Sequence, residues 1–323
     1  MHAGAECTTL DGYRQRYAQY KSDANLQRAH ARFPWLTTWD DHEVSNNYAQ
    51  DIGQFDKGPT ESTAKRRTAA YQSWWEHQPV RVPRATNWHD LTIYQRTAWG
   101  RMADVHMLDA RQYRTDQACG DGNKTIPCGD WSDPARTMLG DAQERWLFDG
   151  IRNSKARWQV LGNPVMIGMP DVQPKDGTVV YMDAWSGYPS ARDRLLRTIA
   201  ESAPGRTAVV TGDIHANYVW DVRTGFDQAE RPIVAAEFVG TSISSEGDGK
   251  DVSPYYYPYK VSSQQSLKWH SARRGYLSCK ASAEAFTCDV QALAYVSREG
   301  APLTTASKWR MTPGKPGLEQ VGA

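Results

Sequence analysis

Apolar positions recur along this chain at two periods, and their alternation gives the first outline of its architecture. Residues 11–32 set Tyr13, Tyr17 and Tyr20 at three- and four-residue spacing, followed by Leu26, as one helix with a packed aromatic stripe would. Residues 60–78 predict a second helix, with Thr60 or Ser62 as its cap and Pro79 as its stop. Residues 140–154 and 190–202 predict two more, the last with Leu195, Leu196 and Ile199 on one side. Strand-type runs fill the intervals: 33–39, 100–109, 158–161, 165–167, 178–181, 207–211, 219–222, 233–239, 275–279 and 290–296. His106, inside one of them, reads as a structural residue. Strands interleaved with helices predict an α/β fold. No internal repeat or linker divides the 323 residues, so a single domain, 1–323, is expected.

Composition narrows the function classes. The 38 Lys and Arg nearly balance the 37 Asp and Glu, and no run of like charge is long enough for a nucleic-acid arm or a polybasic membrane anchor, so no specific nucleic-acid binding is expected. No apolar run reaches the roughly 18 residues of a transmembrane helix. The first residues, Met1-His-Ala-Gly-Ala-Glu-Cys7, have neither the charged start nor the apolar segment of a signal peptide. The five cysteines include two local pairs, Cys119 with Cys128 and Cys279 with Cys288, whose spacing suits either disulfides or reduced thiols and lacks the Cys-x-x-Cys form of a zinc site. The reading adopted is two disulfides with Cys7 free, and hence an oxidising compartment.

The candidate chemistry sits at two strand ends. Phe33-Pro-Trp-Leu-Thr-Thr-Trp-Asp-Asp-His-Glu-Val-Ser-Asn-Asn47 closes an apolar run with Asp40, Asp41, His42, Glu43 and Asn47. Crowded carboxylates raise one another's pKa unless a cation neutralises them, so this cluster points to a metal site. Thr207-Ala-Val-Val-Thr-Gly-Asp-Ile-His215 closes a second strand with Asp213 and His215. Asp41, Asn47, Asp213 and His215 are expected to converge in one pocket. Asp40 and Glu43 serve either as ligands or as capping groups.

Further motifs follow in order: Leu108-Asp-Ala-Arg-Gln-Tyr-Arg114, Leu139-Gly-Asp-Ala-Gln-Glu-Arg-Trp-Leu147, Asp183-Ala-Trp-Ser-Gly-Tyr-Pro189, Gly212-Asp-Ile-His215 and Arg274-Gly-Tyr276. Together with the Asp40–Asn47 cluster, over essentially the whole chain, they resemble the PhoD-type alkaline phosphatase/phosphodiesterase family of metallophosphatases. The resemblance implies a four-layer fold of two packed β-sheets flanked by helices. It also implies an iron (Fe3+) and calcium (Ca2+) centre, with manganese (Mn2+) a further candidate, hydrolysis of a phosphomonoester or phosphodiester, and export from bacteria to an extracellular, periplasmic or cell-wall location. By that analogy Asp40, Asp41, Asn47, Asp213 and His215 are the metal-site candidates. Asp41, His42 and His215 are the catalytic candidates, with His42 as acid or charge stabiliser and His215 as ligand or orienting partner. Asp109, Arg111 and Arg114 read as a structural ion pair, and Trp185 and Tyr188 as core. A monomer is expected. Two departures stand out. Ser186 replaces an Asp usual in the family, and the family's upstream Ser-Cys-type and Gly-Asp-Tyr-type motifs have no equivalent. The chain is therefore expected to lack N-terminal strands, and its function to be either that of a metal-dependent phosphoester hydrolase acting through a dinuclear-type metal centre or that of a truncated, non-catalytic remnant with an incomplete metal site and little turnover.

Overall fold

The computed structural model describes residues 2–169, 177–225, 230–251 and 266–322. The chain opens with helices α1 (Leu10–Lys21) and α2 (Ala24–Arg32). They are two helices and not one, because Asp23 caps α2 by accepting from the Leu26 N–H at 2.8 Å, and the intervening turn breaks the ladder. Within the expected stripe, Tyr13 is buried, Tyr17 stacks on His77, and Tyr20 is exposed against His2. Residues 33–39 form extended chain without a strand ladder. Pro34 offers no N–H, and Phe33, Trp35 and Leu36 stay exposed. This stretch is instead pinned near its end, where Thr38 Oγ1 donates to the Leu108 carbonyl at 2.7 Å and Trp39 is buried on Tyr71. Helix α3 (Glu61–His77) is capped by Thr60.

Then come β1 (Gln95–Trp99), β2 (Ala103–Met107), β3 (Asn123–Thr125), α4 (Gly140–Asn153), β4 (Trp158–Asn163), β5 (Val179–Tyr181) and α5 (Pro189–Ser202). The elements that follow among the described residues are strands: β6 (Thr207–Thr211), β7 (Asn217–Arg223), β8 (Ile233–Val239), β9 (Leu267–Ser271), β10 (Gly275–Ala281), β11 (Phe286–Leu293), β12 (Leu303–Thr312) and β13 (Lys315–Gly322). The expected strand at 165–167 is irregular buried chain, and the run at 100–109 is the second arm of the β1–β2 hairpin.

One sheet has seven strands in the order β1-β2-β4-β6-β8-β7-β9, and β2, β4, β6 and β8 run parallel. A second has four, β10-β11-β12-β13, all antiparallel, and β3 and β5 form a short ribbon. Strands in the middle of the large sheet are buried on both faces, as parallel strands must be. One face of that sheet, with Leu161, Val209, Tyr218 and Trp220, packs under α4 and α5 through Leu147, Ile151, Leu195 and Ile199. The other face, with Trp158, Ala208, Val219 and Phe238, meets Phe286, Cys288, Val290, Trp309 and Met311 of the four-stranded sheet. His106 is buried against Gln159, and Trp185 and Tyr188 lie in the core. The architecture is α/β, with packed sheets flanked by helices. Among the described residues no helix is long and apolar enough to cross a membrane.

Cys119 and Cys128 are joined in a disulfide, whereas Cys279 and Cys288 are free, as is Cys7. The second pair faces itself across β10 and β11 in register and on one face, with Cys288 buried in the inter-sheet core and Cys279 exposed on the edge strand, and the two side chains meet as hydrogen-bonded thiols without a disulfide. The hairpin is already closed by its ladder.

Candidate metal centre

Parallel strands bring their carboxyl ends to one edge of a sheet, and the loops after β2, β6 and β8 supply Arg111, Asp213 and Thr241 there. The fourth contribution is the turn 40–47. Trp39 holds its start by stacking on Tyr71 at 3.8 Å between ring centroids and meeting Trp74 edge-on. Asp41 folds the turn, accepting the His42 N–H on Oδ1 at 2.7 Å and the Asn47 N–H on Oδ2 at 3.1 Å. Glu43 accepts the Asp40 N–H at 2.9 Å, which is a capping role. Asn47, Asp213 and His215 adopt the left-handed region, at φ of +49°, +71° and +53°. Asn, Asp and His are the non-glycine residues most at home there, and such conformations gather at functional sites.

These loops enclose a cavity of about 560 Å³ lined by Asp40, Asp41, Asn47, Tyr181, Asp213 and His215, with His42 and Glu246 also on its wall. Asp40, Asp41 and Asp213 each offer an oxygen within 4.8 Å of the others. Burial raises the Asp40 carboxyl above its ordinary value, and Asp41 and Asp183 add to this against the pull of Arg111. Burial, then the charges of Asp40 and Asp41, pushes Asp213 far up. Burial likewise brings Glu43 up to about 7. Three acids crowded in this way are stabilised as carboxylates by a cation.

Arg111 supplies part of that charge. Its fully buried guanidinium donates Nε to Asp40 at 2.6 Å and Nη1 to Asp183 Oδ1 at 3.0 Å, while Nη2 lies 3.9 Å from Asp213 with no hydrogen-bond partner among the described residues. Arg114 and Gln117 also donate to Asp183, and both hold the Asn47 carbonyl, at 3.1 and 2.9 Å. Burial alone would raise Asp183, but Arg111 and Arg114 outweigh it and keep the carboxyl below its ordinary value. The expected pairing of Asp109 with these arginines is corrected: Asp109 accepts the backbone N–H groups of Arg111 and Gln112, and Asp183 is the ionic partner.

The histidines are placed differently from the acids. His42 is largely exposed at the rim, its Nε2 3.9 Å from Asp41. His215 lines the cavity outside the carboxylate trio, and its Nδ1 is 3.2 Å from Glu246. Arg274 fixes the same residue from behind, donating to its carbonyl at 2.6 Å and approaching Glu246 at 3.5 Å. The donor set fits a hard cation. It offers three carboxylates and the Asn47 carboxamide oxygen, with one imidazole nearby.

A family model described as "PhoD-like phosphatase" matches residues 1–290. The chain belongs to the PhoD-like phosphatase family. It is similar to alkaline phosphatase D of Bacillus subtilis (strain 168), at 38% identity over 329 aligned positions that take in 100% of this chain and 55% of that protein. It is also similar to a solved structure described as "Structure of PhoD", with a TM-score of 0.94 at 38% identity, covering 100% of this chain and 61% of the other. The chain thus spans about half the length of the curated relative.

Sequence reasoning did not single out Asp121, Tyr181, Thr241 or Glu246. Each is an isolated residue in a loop or at a strand end. Only the Gly-Asp-Gly-Asn run around Asp121, in a long loop, carried any signal.

Proposed function

We propose that this chain forms the metal-binding body of a phosphoester hydrolase of the alkaline phosphatase D kind. The observation that carries the proposal is the meeting of Asp40, Asp41 and Asp213 at the carboxyl edge of the sheet in a chain of this family. Asp40, Asp41, Asp213 and the Asn47 Oδ1 would hold the cation, with Ca2+, Mn2+ and Fe3+ as the candidates for an oxygen-rich set. Bound there, such an ion supplies charge neutralisation for the phosphoryl oxygens and a more acidic water.

The chain's own residues do the rest. His42, at the rim, would give a proton to the departing alkoxide. Glu246 orients the His215 ring through Nδ1 and leaves Nε2 uncommitted. Arg111 aims Asp40 through Nε and favours its charged form against burial. His42 and His215 also border a neighbouring cavity of about 970 Å³ walled by Tyr13, Tyr17, Tyr20 and Trp35, which gives the alcohol side of an ester room. The Cys119–Cys128 bond supports an exported protein.

A second reading, cation binding without efficient turnover, is favoured by the donor count. Among the described residues there is one group of three carboxylates, and Arg111 already occupies part of its charge. Assays with an aryl phosphate monoester and the corresponding diester, with each metal added, separate the two. Metal-dependent hydrolysis that Asp213→Ala abolishes together with metal binding, and that His42→Ala slows while metal remains, supports the enzyme. Binding without turnover selects the second reading. Absence of both removes the site.

A further inference from the structure

An asparagine serves a cation only through its oxygen, so something must decide which end of the carboxamide faces the site. Asn47 Nδ2 donates to Asp121 Oδ1 at 2.8 Å, to Asp121 Oδ2 at 2.9 Å and to the Tyr181 hydroxyl oxygen at 2.7 Å. Turning the amide over would set its oxygen against a carboxylate. The nitrogen end is therefore fixed on Asp121, and the oxygen end, which accepts no hydrogen bond among the described residues, is left for the cavity.

Asp121 is itself held. Gln54 Nε2 donates to its Oδ2 at 2.6 Å and the Gly122 N–H to its Oδ1 at 2.7 Å. It rides on the loop closed by the Cys119–Cys128 disulfide, and β3 in that loop pairs Asn123 with Tyr181 of β5. Both groups that grip the Asn47 nitrogen thus belong to one cross-linked ribbon. Val180 of that ribbon packs with Trp131, Met169 and Met182, and the disulfide cysteines lie against the same cluster.

We propose that Asp121 is a positioning residue of the metal centre: through Asn47 Nδ2 it presents the Asn47 oxygen to the cation, and it does not itself bind the ion. The inference rests on the metal-site reading above. An acid that hydrogen-bonds to a ligand in this way commonly changes metal affinity by about 10- to 100-fold.

The test is a titration of the intact chain with Tb3+, a luminescent hard cation sensitised by nearby Tyr and Trp, followed by displacement with Ca2+. Near-UV circular dichroism checks that each variant is folded. Asp121→Ala should weaken binding about 10-fold or more. Asp121→Asn, which keeps an acceptor oxygen, should restore most of it. A carboxylate at position 47 needs no orienting and is repelled by Asp121, so in an Asn47→Asp background Asp121→Ala should leave binding unchanged or tighter. Equal weakening in both backgrounds would overturn the proposal and make Asp121 a ligand or a general support. Undiminished binding by Asp121→Ala would also overturn it, while leaving the metal site intact. No binding by the unaltered chain would remove the metal-site reading and this inference with it.

Discussion

Asp183 and Asp213 both face the guanidinium of Arg111, one at 2.8 Å and the other at 3.9 Å, and their surroundings differ in kind. Asp183 is fully buried among Arg111, Arg114 and Gln117, so its charge is satisfied by the protein alone and its carboxyl is held below the ordinary range. Asp213 is placed by its backbone, in the left-handed region after β6, and its carboxylate faces Asp40 and Asp41 with its pKa pushed up by burial and by them. Asp183, buried outside the cavity lining, is thus finished without a ligand. Asp213 holds charge that only a cation or a proton can settle.

The largest effect should come from the finished partner, Asp183. Asp183→Asn leaves two buried guanidiniums without their carboxylate and should cost about 3–5 kcal/mol at neutral pH, read by denaturant melts. A carboxyl with a depressed folded-state pKa adds stability above its unfolded value, near 3.9, and loses it as pH falls through the folded value. The gap between Asp183→Asn and the unaltered chain should therefore narrow below about pH 4. A gap that stays constant with pH would mean that Asp183 acts through shape rather than charge.

Asp213→Asn sharpens the comparison with the opposite sign. Without metal it relieves a like-charge cluster and should leave stability equal or higher, while metal affinity falls by at least about 10- to 100-fold, read by calorimetric titration. A loss of stability comparable to that of Asp183→Asn would erase the distinction between the two aspartates.

Glu246→Ala comes next. It frees the His215 ring but leaves the grip of Arg274 on the His215 carbonyl. About a 10-fold loss in metal affinity or rate, with little change in melting temperature, is expected. A large fall in melting temperature would show that the Glu246 loop carries the fold.

These contrasts follow what was legible in the sequence. Asp40 and Asp41 stand in a dense polar cluster at the end of an apolar run, and Asp213 in a sparser Gly-Asp-Ile-His run after a strand, so position drew attention to all three, although Asp40 read equally as a ligand or a cap. Arg111 was assigned the wrong partner because Asp109, two residues away, is close only along the chain. Its carboxylate turns to backbone N–H groups, and the true partner Asp183 lies 72 residues downstream. Residues 33–39 read as a strand because propensity reports side chains that suit a pleated surface, and here no ladder is there to receive them. The break between α1 and α2 was written in Ser22 and Asp23, but the tyrosine stripe outweighed it. Asp121 and Glu246 act only through residues brought near by the fold, which no local pattern records.

The smallest effect concerns the cysteines. Alkylation of the unfolded chain without reductant should label three thiols, Cys7, Cys279 and Cys288, counted by mass spectrometry. One label would show that the facing pair on β10 and β11 closes after all, and five would remove the Cys119–Cys128 bond.

The central claim is that the cluster of Asp40, Asp41 and Asp213 is completed by a cation. Crystals of the intact chain grown with Mn2+ and measured at its absorption edge test it most directly. The account predicts an anomalous peak within bonding distance of Asp40, Asp41 and Asp213 carboxylate oxygens and of Asn47 Oδ1. No peak at saturating metal, or a peak away from Asp213, would contradict it.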